Sequence, residues 1–206
     1  MEAVRPNESL LALGRQVDSI DAMAASDENH EIEVKILEVD PAAMASRLKE
    51  LGATLEFSGE MHAIFFDDAE GHVGAEGNAL RLRREGDASV LAFKRRLRKD
   101  TAKVMDEQET AVSCFDTMRR ILAGLGYNEI AETRKWRDEF ELPATNAKVV
   151  IDRYKDALSC VPPFIEVEAE SEALVISVVK MLGLSPDDCL SWDTRDLAKH
   201  YGVAFT

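Results

Sequence analysis

The segment EIEVK, Glu31 to Lys35, places Ile32 and Val34 on one side of an extended chain and three charged residues on the other. Segments with similar alternation recur along most of the 206-residue chain. Because successive side chains of a strand point to opposite faces, each such segment predicts a strand with one apolar face and one charged face. The charged faces therefore need water, or a partner, on their side of the sheet.

Period-two and helical patterns together predict eight strands and four helices. The strands are expected at 30–39, 60–68, 79–85, 89–98, 102–112, 130–142, 148–155 and 163–170. The helices are expected at 41–53, 114–127, 171–184 and 191–202, with Pro41 starting the first and Gly126 ending the second. Residues 1–28 are expected to form a weakly structured extension or a short helix, and residues 29–206 one domain. This order favours an α+β fold, an antiparallel sheet or barrel with helices packed on part of its outside.

The charged faces are sorted by sign from strand to strand. Carboxylates pair at Glu31/Glu33, Glu107/Glu109 and Glu166/Glu168, and cations pair at Arg81/Arg83, Lys94/Arg96 and Lys135/Arg137. In an open sheet these faces would simply meet water, and that alternative remains for any single strand. If the sheet closes into a barrel, the same faces line an interior with acidic and basic sectors.

An interior of this kind would suit a polyphosphate with bound divalent cations. Arg and Lys bind phosphate oxygens, and Arg does so in bidentate fashion. Carboxylates bind Mg²⁺ or Mn²⁺ as hard oxygen ligands, and the metal can bridge to phosphate. The sorting of charges therefore indicates a site for metal and phosphate together.

Charge and cysteine content narrow the classes of function. The net charge of −14 argues against nonspecific binding to nucleic acid or to an anionic membrane. One stretch, residues 81–103, reverses this balance with nine basic and three acidic residues, a net charge of +6. The sequence shows three widely spaced cysteines, no secretion signal and no apolar run near the roughly 20 residues that span a bilayer. These features favour a cytoplasmic protein.

Six blocks, in order along the chain, resemble the signature of the CYTH superfamily, the triphosphate tunnel metalloenzymes, named for class IV adenylate cyclases and thiamine triphosphatases. The blocks are ExExK at 31–35, FFDD…ALRLRRE…LAFKRR, DEQETAV, LGYNEIAETRKWRDEF, VVIDRYK…PFIEVEAE and SWDTRDL. The match as a whole runs from about residue 30 to residue 202. The resemblance implies an eight-stranded antiparallel β-barrel with helices packed outside. It also implies that this barrel is a tunnel that binds a triphosphate with divalent metal.

The resemblance further assigns roles to individual residues. The implied catalytic residues are Glu31, Glu33, Lys35 and Glu168. The implied ligands of Mg²⁺ or Mn²⁺ are Glu31, Glu33, Glu107, Glu109, Asp152, Glu166 and Glu168, with one of Glu107 and Glu109 expected to serve. The implied phosphate-binding residues are Lys35, Arg81, Arg83, Lys94, Lys135 and Arg137.

Three activities remain open on this basis. Attack by water on the terminal phosphorus would make the protein a triphosphatase of tripolyphosphate, thiamine triphosphate or a nucleoside triphosphate, which we expect as its primary activity. Attack by the ribose 3′-hydroxyl of ATP on the α-phosphorus would make it a class IV-type adenylate cyclase. A non-catalytic polyphosphate- or nucleotide-binding module would keep the cations without needing both carboxylate pairs. The expected partner is a small-molecule triphosphate. The sequence does not determine the oligomeric state, and it is compatible with a homodimer.

Overall fold

The computed structural model describes residues 30–204, and these residues form a closed barrel of eight strands with five α-helices. The strands are β1 His30–Ile36, β2 Thr54–Asp67, β3 Ala79–Glu85, β4 Ala88–Lys99, β5 Lys103–Ala111, β6 Asn128–Leu142, β7 Ala147–Tyr154 and β8 Phe164–Ala169. The helices are α1 Pro41–Glu50, α2 His72–Ala75, α3 Phe115–Gly124, α4 Glu172–Met181 and α5 Thr194–His200. None of these helices has the length and apolar character to span a bilayer. The predicted extension, residues 1–28, lies outside the described residues.

Hydrogen-bonded neighbours follow the order β1-β5-β4-β3-β2-β6-β7-β8 around the barrel, and every pair is antiparallel. The β1–β8 pair closes the ring, with Glu33 opposite Glu168 and Lys35 opposite Glu166. On its other side, Glu33 lies opposite Lys103 of β5. The predicted eight-stranded antiparallel barrel is confirmed. Because the sheet is closed, the charged faces of the strands line an interior.

The hydrophobic core lies between the barrel and its helices. Val34, Ile165 and Val167 point outward from β1 and β8 and pack in one cluster with Val175 and Val178 of α4. Helices α3 and α5 contribute to two further clusters on other parts of the wall. Along β1 and β8, alternate residues therefore lie in an apolar outer layer and in a charged interior.

Sequence signals at the helix ends position the helices on this wall. Asp40 caps α1, and Pro41 occupies its first turn. The predicted stop of α3 is confirmed, because Gly126 follows the helix with a φ of 96°, a left-handed conformation that favours glycine. Helix α5 begins with a capping box in which Asp193 and Asp196 each accept a hydrogen bond from the other's backbone N–H.

Several element bounds differ from the predictions, and three of the differences have a local cause. Strand β1 is shorter than predicted, because the chain turns out of the sheet at Glu38, where φ is 57°. Strand β2 begins at Thr54 instead of residue 60, and a bulge between Leu55 and Phe57 interrupts the alternation that would have revealed it. The single turn of α2 was not predicted, since four residues are too few to show a helical period.

Replacement of Ile165 by Ala should lower the free energy of unfolding by about 2–5 kcal/mol, because the side chain is fully buried and its removal leaves a cavity in the outer layer. The same change at Ile121, which is 47% exposed on α3, should alter it by no more than about 0.5 kcal/mol. Denaturant titration of the two variants measures both values. Equal effects would contradict a core that lies between barrel and helices.

Candidate tunnel site

One cavity runs through the barrel between two differently built ends. The end beside the β3–β4 and β6–β7 turns, here the hairpin end, is lined by Glu85, Glu109, Glu139 and Lys148. The other end, here the capped end, is lined by Asn78, Arg96, Asp193, Thr194 and Arg195. The segment that carries α5 is thus part of the cavity wall, although it is not part of the barrel.

Buried cations and carboxylates pair with one another in the middle of the cavity. We call this set the central network, and its members are Glu33, Lys35, Lys103, Lys135, Arg137, Asp152 and Glu166. Lys35 donates a hydrogen bond to Oε1 of Glu33 at 2.6 Å and lies 2.7 Å from Oε1 of Glu166. Lys103 forms a second ion pair with the same oxygen of Glu33. Glu33 is therefore shared between two ammonium groups.

Asp152 anchors the other half of the central network. It is fully buried, and Arg137 binds both of its oxygens with hydrogen bonds of 2.8 and 2.7 Å. Lys135 donates a third hydrogen bond to Asp152 at 2.5 Å. Arg137 also donates to Oε2 of Glu166 at 2.7 Å, which joins the two halves of the network. Bidentate, charge-assisted contacts of this kind are among the strongest hydrogen bonds in proteins.

Pairing outweighs burial at Glu166. Burial alone would raise the pKa of this carboxyl, but Lys35, Lys135 and Arg137 hold the pKa well below its usual value. Burial would likewise lower the pKa of Lys35, and the charges of Glu166 and Glu33 raise it well above its usual value instead. Glu166 and Lys35 are therefore both ionised, and they form an ion pair with each other.

Three carboxylates, one of which is Glu33 of the central network, form a cluster of a different kind. Glu31, Glu33 and Glu168 each place an oxygen within 4.8 Å of the others. Glu31 is paired with Lys94 at 2.5 Å, whereas Glu168 forms no ion pair within residues 30–204. Burial, and after it the charges of Glu31 and Glu33, raise the pKa of Glu168 to about 8. We call these three residues the carboxylate cluster.

The carboxylate cluster fits a divalent cation by its donor set and by its charge. Mg²⁺ and Mn²⁺ prefer carboxylate oxygens, and three such oxygens converge here. A bound cation would offset the mutual repulsion that raises the pKa of Glu168. Glu31, Glu33 and Glu168 are thus the residues that would hold the metal ion implied by the sequence.

Three cations, Arg81, Arg83 and Lys94, line the cavity on β3 and β4. Lys94 lies 3.0 Å from Glu107, and Arg83 forms two contacts of 3.0 and 3.1 Å with Glu109. Arg81 is held more loosely, at 3.8 Å from Glu107 and 3.7 Å from Glu109. Its Nε and Nη2 are buried without a hydrogen-bond partner among the described residues. Since buried donors are nearly always satisfied, Arg81 indicates a missing acceptor such as a phosphate oxygen.

The predicted site residues fall into separate groups in the structure. All of them line the cavity except Asp152, which lies behind Arg137. Glu107 and Glu109 both face the cavity, where they pair with cations of β3 and β4. Asp152 and Glu166 belong to the central network. A metal role at these four positions stays a prediction, and the carboxylate cluster is the set that the geometry brings together.

Sequence reasoning missed three cations of the cavity wall, Lys103, Arg96 and Arg195. Lys103 shares the strand phase of Glu107, so its inward position could have been read from the alternation in KVMDE. Arg96 shares the strand phase of Lys94, so the alternation predicts that both side chains point to the same face, but the pattern assigns Arg96 no role in binding. The block SWDTRDL, which contains Arg195, is part of the resemblance, but its pattern does not indicate that Arg195 itself lines the cavity.

Comparison with known proteins identifies the fold. A family model described as the CYTH domain matches residues 29–188. Solved structures similar to this chain include the PH1012 protein of Pyrococcus horikoshii, with 20% identity, a TM-score of 0.68 and coverage of 81% of this chain and 98% of that one. A protein of Vibrio parahaemolyticus proposed to be an adenylate cyclase has 15% identity, a TM-score of 0.70 and coverage of 84% and 99%. No curated protein sequence matches the chain significantly.

A third similar structure is a proposed adenylyl cyclase of Hippeastrum, described as having a dominant triphosphatase activity. It has 17% identity and a TM-score of 0.59, and the match covers 85% of this chain and 97% of that one. At these identities the three structures establish a shared fold.

Replacement of Glu168 by Gln should stabilise the metal-free protein at neutral pH relative to the wild type. A carboxyl with a pKa of about 8 when folded and 4.5 when unfolded binds more protons in the folded state, so its contribution to stability falls as the pH rises between those values. The advantage of Glu168→Gln should therefore be small at pH 4.5 and grow towards pH 8. Its slope should not exceed about 1.4 kcal/mol per pH unit.

Denaturant titration in the presence of a chelator, from pH 4.5 to pH 9, measures this difference. Glu170→Gln is the matched control, since Glu170 is exposed beyond the end of the same strand. A difference between Glu168→Gln and wild type that is constant across this pH range would contradict the raised pKa.

Proposed function

This chain belongs to the CYTH domain family, and we propose that it is a divalent-metal-dependent hydrolase of a triphosphate bound inside the barrel. The substrate class comprises tripolyphosphate, thiamine triphosphate and nucleoside triphosphates. One observation carries the proposal. The carboxylate cluster, which suits a divalent cation, adjoins the phosphate-binding cations, because Glu31 of the cluster lies 2.5 Å from Lys94. Metal and phosphate would thus meet in one closed, charged interior.

The cations of β3 and β4 would bind the phosphate oxygens. Arg81 has spare buried donors, and Arg83 and Lys94 would exchange part of their contact with Glu109 and Glu107 for phosphate. Positive groups fixed before the reaction stabilise the negative charge that develops on the transferred phosphoryl group. Lys35 and Arg137, held in the central network, would add to this field without moving.

The carboxylate cluster would hold the metal ion. When bound, such an ion neutralises phosphate charge and lowers the pKa of a coordinated water. Glu168, which has no ion pair in the described part of the chain, would supply a carboxylate ligand, and Glu33 would keep its contacts with Lys35 and Lys103. The barrel wall excludes bulk water from the sides, which strengthens every electrostatic contact inside.

Hydrolysis is favoured over cyclisation by a likeness to one solved structure. The similar Hippeastrum protein, although a proposed cyclase, is described as having a dominant triphosphatase activity. Adenylate cyclase activity is the second candidate, because another similar structure is a proposed adenylate cyclase.

The purified protein should release phosphate from at least one of tripolyphosphate, thiamine triphosphate and ATP when Mg²⁺ or Mn²⁺ is added. Replacement of Glu33 by Gln should reduce kcat by about 100-fold or more, because it removes a charged ligand of the cluster and the partner of two lysines. Phosphate release and product analysis measure both effects. ADP and phosphate from ATP indicate hydrolysis, whereas cyclic AMP and pyrophosphate indicate the cyclase.

The matched control is Glu132→Gln, which removes a carboxylate from the outer face of β6, where it contacts His62 and Arg134. This variant should keep wild-type turnover. A protein that turns over none of the three substrates, yet binds tripolyphosphate as well after Glu33→Gln as before, would be a binding module and would overturn the proposal.

A further inference from the structure

Two arginines that are not among the predicted phosphate-binding residues lie at the capped end of the cavity. Arg96 comes from β4 and Arg195 from the first turn of α5, and both line the cavity. We propose that Arg96 and Arg195 form a distal anion site, which binds the end of the substrate away from the carboxylate cluster and selects substrates whose distal end is a free phosphate. This inference rests on the proposed function, since it concerns the same cavity.

Each guanidinium group packs on a glycine at a place where a side chain would block it. A Cβ on Gly77 would lie 2.2 Å from Cζ of Arg96, and a Cβ on Gly74 would lie 2.7 Å from Nη2 of Arg195. The backbone N–H of Gly77 donates to the carbonyl of Gly74 at 2.9 Å, so the two glycines form one turn with Cα atoms within about 7 Å. The two guanidinium groups therefore pack on the first and last residues of one short turn.

Both guanidinium groups have donors to spare. The ion pair of Arg96 with Asp193 is 3.7 Å long, beyond hydrogen-bond length, and Asp193 also pairs with Lys99 at 3.3 Å. Arg195 forms no ion pair within the described part of the chain. The nearby carboxylate of Asp67 is already occupied by backbone N–H groups of the α2 turn. With five donors on each guanidinium group, an incoming anion can be bound without breaking a strong contact.

The capped end is anchored to the barrel. Backbone hydrogen bonds of 2.8 and 2.9 Å join Lys35 of β1 to Leu190, just before α5. The hydroxyl groups of Tyr154 and Thr194 lie 3.2 Å apart and tie β7 to the start of α5. Arg195 thus extends from a segment that is fixed to the barrel. Less conformational entropy is therefore lost when its side chain binds a ligand.

The spacing along β4 suits a substrate that reaches both sites. Lys94, which contacts Glu31 of the carboxylate cluster, and Arg96 point to the same side of the strand and are separated by about 7 Å of strand rise. A free terminal phosphate would offer Arg96 and Arg195 several charged acceptors. A neutral organic group in the same place would offer no charged acceptor, and the guanidinium groups of the exposed Arg195 and the half-buried Arg96 would stay bonded to water instead. The distal anion site therefore favours a linear polyphosphate with an anionic group at each end.

Replacement of Arg96 or of Arg195 by Gln should raise the KM for tripolyphosphate about tenfold, because each removes a charge-assisted contact. The value of kcat should change less than about threefold, since the metal and central groups are intact. The KM for ATP, whose distal end carries a nucleoside, should also change less than about threefold. Steady-state kinetics with both substrates, and calorimetric binding of tripolyphosphate without metal, provide the measurements.

Three further variants separate the effect of guanidinium position from general effects of charge or folding. Gly74→Ala keeps the charge but forces the Arg195 guanidinium group away, so it should reproduce the KM effect of Arg195→Gln. The matched controls are Arg95→Gln, which changes an exposed arginine paired with Asp106 on the outer face of β4, and Lys199→Gln, which changes an exposed residue of α5. Both controls should keep wild-type KM, and thermal melting checks that every variant is folded.

The outcomes distinguish this inference from the proposed function. If the wild type hydrolyses tripolyphosphate and the Arg96 and Arg195 variants match the controls, the distal anion site is wrong and the proposed function stands. If the KM for ATP rises as much as that for tripolyphosphate, the arginines do not select the distal group, and the inference is overturned. If the wild type is inactive, the proposed function fails, and unchanged calorimetric affinity in both variants would overturn the distal anion site as well.

Discussion

Mutual neutralisation of charge inside the barrel is the constraint on which the rest of the structure depends. Closing the sheet encloses Asp152, Glu166, Lys35 and Arg137, and each would be costly to bury alone. The hydrogen bonds of the central network offset that cost, whereas removal of one partner from such a network typically costs about 3–5 kcal/mol. The barrel therefore closes only with its cations and carboxylates in register. Glu168, which forms no ion pair among residues 30–204, and the loosely held Arg81 stand apart as groups suited to ligands.

Much of the fold could be predicted from the sequence because each strand has two faces with different environments. Charged residues at alternate positions of β1, β3 and β8 identify the inward face, and Val34, Leu82 and Val167 identify the outer layer. The prediction failed where the alternation is broken. The bulge at the start of β2 hid six residues of strand, and a left-handed residue ended β1 early.

The candidate site was only partly predictable because the two ExE motifs do not reveal their partners. Glu166 and Glu168 are equivalent in the sequence, yet β-pairing sets Glu166 opposite Lys35 and Glu168 opposite Glu33. The first carboxylate therefore joins an ion pair, and the second meets another carboxylate. Arg195 was unpredictable for a related reason, since its place in the cavity depends on how a C-terminal segment crosses the barrel and not on any local pattern.

The alternation of environments along each strand has a consequence for how such a protein can change. In β8, Val167 packs in the outer layer, while its neighbours Glu166 and Glu168 face the cavity. A substitution at a cavity position without an ionic partner does not alter the packing of the apolar outer layer. The side chains that line the cavity can therefore change while the fold is kept. Substrate preference within one barrel could then change through single substitutions at such positions. Residues of the central network would tolerate substitution poorly, because each is a partner in several ion pairs.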